Sequence, residues 1–281
     1  MKSLENKLII YDSNCKVCSS LKEVVIRLTS IPKQKIKAYM ELSPALSPKV
    51  DPEKFKNVMA LIDTDGGTTI YGAEGVAYIF SSQYKVLDVL LRFKPFFQLF
   101  SWLYKVTAYN RYVIATPKSR FKCDCFPDKV VSYRVGYISI TISISILLTA
   151  LFGMSLKNYF TGMSNSKAAL EILLIAGSGW ALQLIAAALF MKKDALEYVG
   201  HLGSIMVVGL LILVPCMLFY FITGVQIPYV IIISAIVSFC YMVYLHIGRV
   251  RYLEISQWWS ASWILFRLSM VFFWSSYFQL I

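Results

Sequence analysis

The sequence predicts an α/β domain over residues 1–115, a basic linker over 116–134, and an all-α transmembrane helical bundle of about five spans over 135–281. Three observations predict it. An apolar run, Leu8-Ile9-Ile10, leads through Cys15-Lys16-Val17-Cys18 into a stretch with apolar residues at helical spacing. The 281-residue chain is 57% hydrophobic and only 16% charged, with a mean hydropathy of +0.60, too apolar for an ordinary soluble protein. Charge is also uneven: residues 1–134 hold 21 Lys and Arg against 12 Asp and Glu, a net of +9 that leaves +3 for the rest.

In chain order, Leu8-Ile9-Ile10 reads as a buried strand, and Leu21, Val24, Val25 and Leu28 line one face of a helix. Ile36, Ala38 and Met40 alternate with Lys37 and Tyr39 as a short strand, before a loop spaced by Pro44, Pro48 and Pro52. Val58 to Ile62 is a second buried strand, Asp65-Gly66-Gly67 a hairpin turn and Thr68 to Tyr71 the returning strand. A helix begins at Gly72, and residues 86–112 read as helical with an interruption at Lys94-Pro95. This order makes an α/β sandwich of thioredoxin type. The aromatics of the last segment, among them Phe93, Phe96, Trp102, Tyr104 and Tyr112, are expected to pack the domain or dock it on the bundle. An interfacial helix assisted by Arg92, Lys94 and Lys105 is the alternative. The basic and aromatic mixture is read as attraction to anionic lipid, with no nucleic acid as partner.

Two thiols three residues apart, between a strand and a helix, form the context of a dithiol redox site. Cys15 falls at the helix N-terminus, where unpaired backbone amides, the helix dipole and Lys16 favour the thiolate. Cys18, one turn further in, is expected to be the more buried, resolving thiol. Asp12 serves either as a proton relay or as a turn or capping residue. A metal half-site or plain core cysteines are the competing readings of the pair.

Five apolar stretches, 135–156, 168–191, 202–222, 228–247 and 258–281, each approach the roughly 20 residues that cross a bilayer as a helix. The Ser139, Thr141, Ser143, Ser145 alternation favours a strand locally, but the length of the apolar run outweighs it. Arg267 and an aromatic tail make the fifth stretch the weakest span. Lys118, Arg120, Lys122, Lys129 and Arg134 precede the first span, Lys192 and Lys193 follow the second, and Arg249 and Arg251 follow the fourth. The positive-inside rule therefore places the N-terminal domain in the cytoplasm and the C-terminus on the opposite side. The first residues show no apolar export signal, and a cytoplasmic dithiol is catalytic or metal-binding rather than structural.

Tyr11-Asp12-x-x-Cys15-x-x-Cys18, then Asp65-Gly66, Gly72, Leu103-Tyr104 and Tyr109-Asn110-Arg111-Tyr112 follow one another in an order that resembles the DCC family of thiol-disulfide oxidoreductases. The resemblance spans about residues 7–115 and leaves the membrane half uncovered. It implies a thioredoxin-like fold and dithiol exchange carried by Cys15 and Cys18, with Asp12 as the residue that names the motif. Ser13 stands where the family has Gly, Gly75 where it usually has Ala, and no proline immediately precedes the Val58 strand.

Cys123-Asp124-Cys125 in the basic linker is a candidate relay for the dithiol, or with Cys15 and Cys18 a four-thiolate zinc or copper site, or a pair of unrelated loop cysteines. Cys216 and Cys240 lie at depths too different for a direct bond and are expected to pack. His201 and His246 near the ends of adjacent spans are expected to be hydrogen-bonding residues, with haem or metal ligation as the alternative. Glu171, Gln183 and Arg267 are costly in lipid unless they face the bundle, where they become candidates for a pathway or quinone pocket; Gly177 and Gly179 permit close helix packing.

The whole reads as a membrane-anchored thiol-disulfide oxidoreductase. Its expected partners are a protein or small-molecule thiol or disulfide, the lipid bilayer and membrane subunits, and no cofactor is expected beyond the dithiol. The alternatives are a metal-handling membrane protein using Cys15, Cys18, Cys123 and Cys125, and a structural membrane subunit with a degenerate redox domain.

Overall fold

The computed structural model describes residues 4–117, 126–156 and 164–278. Contacts divide the chain into two units, Met1–Tyr137 and Ile138–Ile281.

The first unit is built on strands β1 (Lys7–Tyr11), β2 (Ile36–Ala38), β3 (Ala60–Asp63) and β4 (Ile70–Tyr71), in the order β2-β1-β3-β4. The β1–β2 pair is parallel and the other two pairs are antiparallel. Helix α1 (Lys16–Leu28) makes the crossover that a parallel pair requires, and a short α2 (Pro52–Phe55) precedes β3. The alternation of β1 explains the two-sided core. Ile9, opposite Leu61 and Ile36, faces a cluster with Val25, Ile31 and Ile79, while Ile10, opposite Ala60, faces Val50, Phe55 and Ile62. The expected thioredoxin-type α/β domain is the fold observed, with the returning strand trimmed to Ile70 and Tyr71.

Helix α3 (Gly72–Gln83) follows β4 directly, and Gly72 adopts φ +63°, where a side chain is strained. A Cβ there would also lie 3.3 Å from the Tyr104 ring, so the glycine admits that ring against β3. The next segment divides into α4 (Lys85–Arg92), α5 (Lys94–Tyr109) and α6 (Arg111–Ile114). The interruption falls at Phe93, because Pro95 lacks an N–H and is tolerated only in the first turn of α5. Packing of the aromatics is realised in part: Tyr112 is buried, whereas Phe93, Phe96 and Trp102 remain exposed.

Among the described residues, four helices are long and apolar enough to cross a membrane, namely α7 (Val131–Ser155), α8 (Asn165–Phe190), the segment Lys192–Leu211 that contains α9 (Ala195–Leu211), and α11 (Pro228–Tyr252). The serine alternation is helical, as the length of its run predicts. The third expected stretch is broken, because α9 stops before α10 (Val214–Thr223). Pro215 cannot donate to the carbonyl one turn back and clashes with it, and a tighter turn, Ile212 N–H to the Gly209 carbonyl, bridges the gap. The fifth stretch is helical as α12 (Trp258–Tyr277), 20 residues long but less apolar than the other four.

Within the second unit, α8 packs along α12, and Gly179 allows the approach: a Cβ there would meet the Arg267 Cα and the Phe266 carbonyl oxygen, each at 3.1 Å. Gly177 has open space around it and serves no such role. Glu171 and Gln183 are buried and Arg267 is half-buried, as the cost of such groups in lipid would demand. Gln183 donates to the Tyr198 hydroxyl at 2.6 Å, and Arg267 donates to the Ala176 carbonyl.

Candidate active site

Strand β1 ends at Tyr11, and the chain turns at once into α1. The Asp12 carboxylate makes the turn by accepting from the Asn14 N–H at 2.9 Å, and the Asp12 carbonyl accepts from the Cys15 N–H at 3.3 Å. Cys15 is thereby set as the N-cap of α1, where its sulfur accepts from the Cys18 backbone N–H at 3.1 Å. The thiol stands where a capping oxygen ordinarily stands. Both cysteines are free thiols.

Asp12 is buried, and its second oxygen accepts from the Tyr112 hydroxyl at 2.8 Å. The buried Arg111 guanidinium lies 3.6 Å from the same oxygen. Arg111 also donates to the carbonyls of Asn57 at 3.1 Å, Ala108 at 3.3 Å and Lys56 at 2.7 Å, tying the end of α5 and the start of α6 to the loop before β3. The charge pair is therefore embedded in hydrogen bonds, the condition under which a buried ion pair holds together.

The two thiols are driven apart in acidity. The Cys18 thiol and backbone N–H, both donating to the Cys15 sulfur, together with the positive charge of Arg111 hold the Cys15 pKa below its usual value, against burial and the Asp12 charge. Cys18 is raised well above its usual value by its hydrogen bond to Cys15, by burial and by the Cys15 charge. The first proton to leave the pair is therefore lost from Cys15 and not from Cys18.

Residues 9–116 match the family model described as DCC1-like thiol-disulfide oxidoreductase. Over these residues the chain is similar to that family. No curated protein and no solved structure matches the chain. The DCC1-like segment runs from β1 through α6, so the match encloses Asp12, both thiols and Arg111 and supports a thiol-disulfide redox role for this segment.

Burial in the DCC1-like segment differs from the sequence expectation. Cys15 is 0% exposed, and Cys18 is the partly exposed thiol. The reason is the N-cap geometry, which turns the Cys15 sulfur back over the first turn of α1, while Cys18 lines a cavity of about 420 Å³. Arg111 and Tyr112 belong to the Tyr109-to-Tyr112 motif, but the sequence offers no partner for them. An arginine in an apolar, aromatic segment was the signal that a buried acid lay opposite.

Asp12, Cys15 and Cys18 also present three ligand atoms within 4.8 Å of one another, a set of two soft sulfurs and one oxygen that fits a thiophilic cation. Cys123 and Cys125 lie outside the described residues. In the second unit, Cys216 donates to the Leu213 carbonyl at 3.0 Å and Cys240 is exposed; both are free. His246 spends both ring nitrogens on hydrogen bonds, to Tyr198 at 2.9 Å and Ser260 at 3.1 Å, and His201 pairs with Arg249 at 2.7 Å. These bonds are the hydrogen-bonding role expected of the two histidines, and they leave His246 no free nitrogen for a metal.

Proposed function

We propose that the chain is a membrane-anchored thiol-disulfide oxidoreductase in which Cys15 and Cys18 cycle between dithiol and disulfide. The Cys15 thiolate attacks one sulfur of a substrate disulfide, the other sulfur leaves as a thiol, and Cys18 then displaces the bound half to form a Cys15–Cys18 disulfide. Asp12 accepts and returns the proton that Cys18 loses in the second step. One observation carries this reading: Cys15 caps α1 with its sulfur held by the Cys18 N–H at 3.1 Å. Because Cys15 is covered, attack requires its cover to open. Reduced full-length protein incubated with hydroxyethyl disulfide should lose two thiols and gain an intramolecular crosslink that peptide mass mapping places between Cys15 and Cys18. No consumption of the reagent would reject the proposal.

The three-atom cluster favours a second reading, in which Asp12, Cys15 and Cys18 hold zinc or copper with Cys123 and Cys125 as further thiolates. Elemental analysis separates the two. The redox reading expects no stoichiometric metal in protein purified under reducing conditions. The metal reading expects one ion per chain, lost in Cys15→Ser and reduced in Cys123→Ser/Cys125→Ser.

The membrane placement carries its own expectation. Lys192 and Lys193 precede α9, and Arg249 and Arg251 end α11, so the cation bias puts the N-terminal unit in the cytoplasm and, with α12 crossing, the C-terminus on the opposite side. A reporter fused after Ile281 should be active outside the cytoplasm. Activity on the cytoplasmic side would mean that α12 does not cross.

A further inference from the structure

Cys18 and Asp12, both used in the exchange chemistry above, line a cavity whose other walls that chemistry does not use. Its volume, about 420 Å³, falls within the ~300–1,000 Å³ of ordinary small-molecule sites. Its walls are largely apolar, with Ile9, Val25, Val58, Phe80 and Leu103 among them. Its polar lining includes Cys18, Tyr104, Arg111, Asp12, Lys22 and Asn57. Cys15 does not line it. The Tyr104 hydroxyl oxygen accepts from the Met59 N–H at 3.1 Å, which leaves its own hydrogen to donate to a carbonyl in the cavity.

A charged, hydrated disulfide would strand its polar groups against these walls. The fitting occupant is apolar, carries a carbonyl for Tyr104, and exchanges two electrons with a dithiol. We propose that the cavity binds a quinone, which oxidises the Cys15–Cys18 dithiol; the proposal rests on the dithiol reading given above. Quinones dissolve in the lipid that four of this chain's helices suit.

The step balances. The Cys18 thiol passes its proton to Asp12, within 4.8 Å of it, and the Cys18 sulfur bonds to a ring carbon. Asp12, which lines the cavity, gives that proton to a quinone oxygen, and the Cys15 thiolate attacks the Cys18 sulfur. The S–S bond forms, the C–S bond breaks with its electron pair entering the ring, and a second proton from water completes the hydroquinone. The dithiol is oxidised by two electrons and the quinone is reduced by two. Arg111 beside the cavity stabilises the negative oxygen that develops on the way.

The test uses the reduced full-length chain in detergent micelles without oxygen, with duroquinone as the probe and hydroxyethyl disulfide as the hydrophilic control. Wild-type protein should reduce one quinone per dithiol and form the Cys15–Cys18 crosslink. Leu103, which is 43% exposed, tolerates enlargement, so Leu103→Trp should narrow the cavity and slow quinone reduction by about tenfold or more. It should leave hydroxyethyl disulfide exchange at the wild-type rate. Tyr104→Phe should raise the KM for duroquinone, and an unchanged KM overturns the proposal even if Leu103→Trp fails to fold. Wild-type protein that exchanges with hydroxyethyl disulfide but leaves duroquinone oxidised also overturns it. A chain inert to both reagents overturns the dithiol reading itself, and the quinone proposal falls with it.

Discussion

Cys18→Ser should turn the N-terminal unit into a trap that holds its substrate as a mixed disulfide on Cys15, whereas Cys15→Ser should hold nothing and lose exchange by about three orders of magnitude or more. The expectation follows from the direction of the two pKa shifts, since only the thiolate is an effective nucleophile. Serine at position 18 keeps the backbone N–H that caps the Cys15 sulfur at 3.1 Å and supplies a hydroxyl in place of the thiol donor. The nucleophile is thus preserved and only resolution is lost. Non-reducing electrophoresis and intact mass, after incubation with hydroxyethyl disulfide, read the adduct. A stable adduct on Cys18 in Cys15→Ser would reverse the roles, and the geometry gives that outcome a meaning: Cys18 is the thiol that faces the cavity.

The ionisation of Cys15 sets the pH dependence. Its folded pKa is depressed, so the thiolate persists as pH falls below the ordinary thiol range, and exchange declines only when pH falls through the lowered value. Cys18 is shifted the opposite way, so its resolving step relies on proton transfer to a neighbour rather than on spontaneous ionisation.

What could be read from the sequence was local. The strand at Leu8, the helix start at Cys15 and α1 itself follow from spacing within one element, and the structure places them accordingly, but of the expected α1 face Val25 is buried while Val24 and Leu28 are exposed. Burial of the two thiols could not be read this way. It depends on how the Cys15 sulfur folds back over the first turn and on a cavity walled by residues from α3 and α5, up to ninety positions away. The partners of Asp12 were hidden for the same reason: Tyr112 and Arg111 meet it from the far end of the same unit. In the membrane part, hydropathy locates the apolar stretches, but Pro215 ends a helix that hydropathy alone runs through.

Arg111→Met should be the most disruptive single change outside the thiols. It removes the partner of a buried carboxylate, and breaking such a pair costs about 3–5 kcal/mol because the remaining charge is stranded. It also frees three carbonyls, of Asn57, Ala108 and Lys56, that Arg111 ties together. Against a typical total of about 5–15 kcal/mol for a domain, that loss should make the N-terminal unit open to protease under conditions where the wild type resists. The effect on Cys15 has a definite sign. Arg111 is a positive charge that favours the thiolate and Asp12 a negative one that opposes it, so Arg111→Met should raise the Cys15 pKa and Asp12→Asn should lower it. Ultraviolet thiolate absorbance, taken as the difference from Cys15→Ser, reads both shifts. Arg111→Lys keeps the charge but not the planar fork, so it should restore most of the Cys15 acidity while recovering little of the protease resistance. If Arg111→Lys and Arg111→Met titrate alike, the charge of Arg111 does not act on Cys15, and its role is confined to clamping the loop before β3.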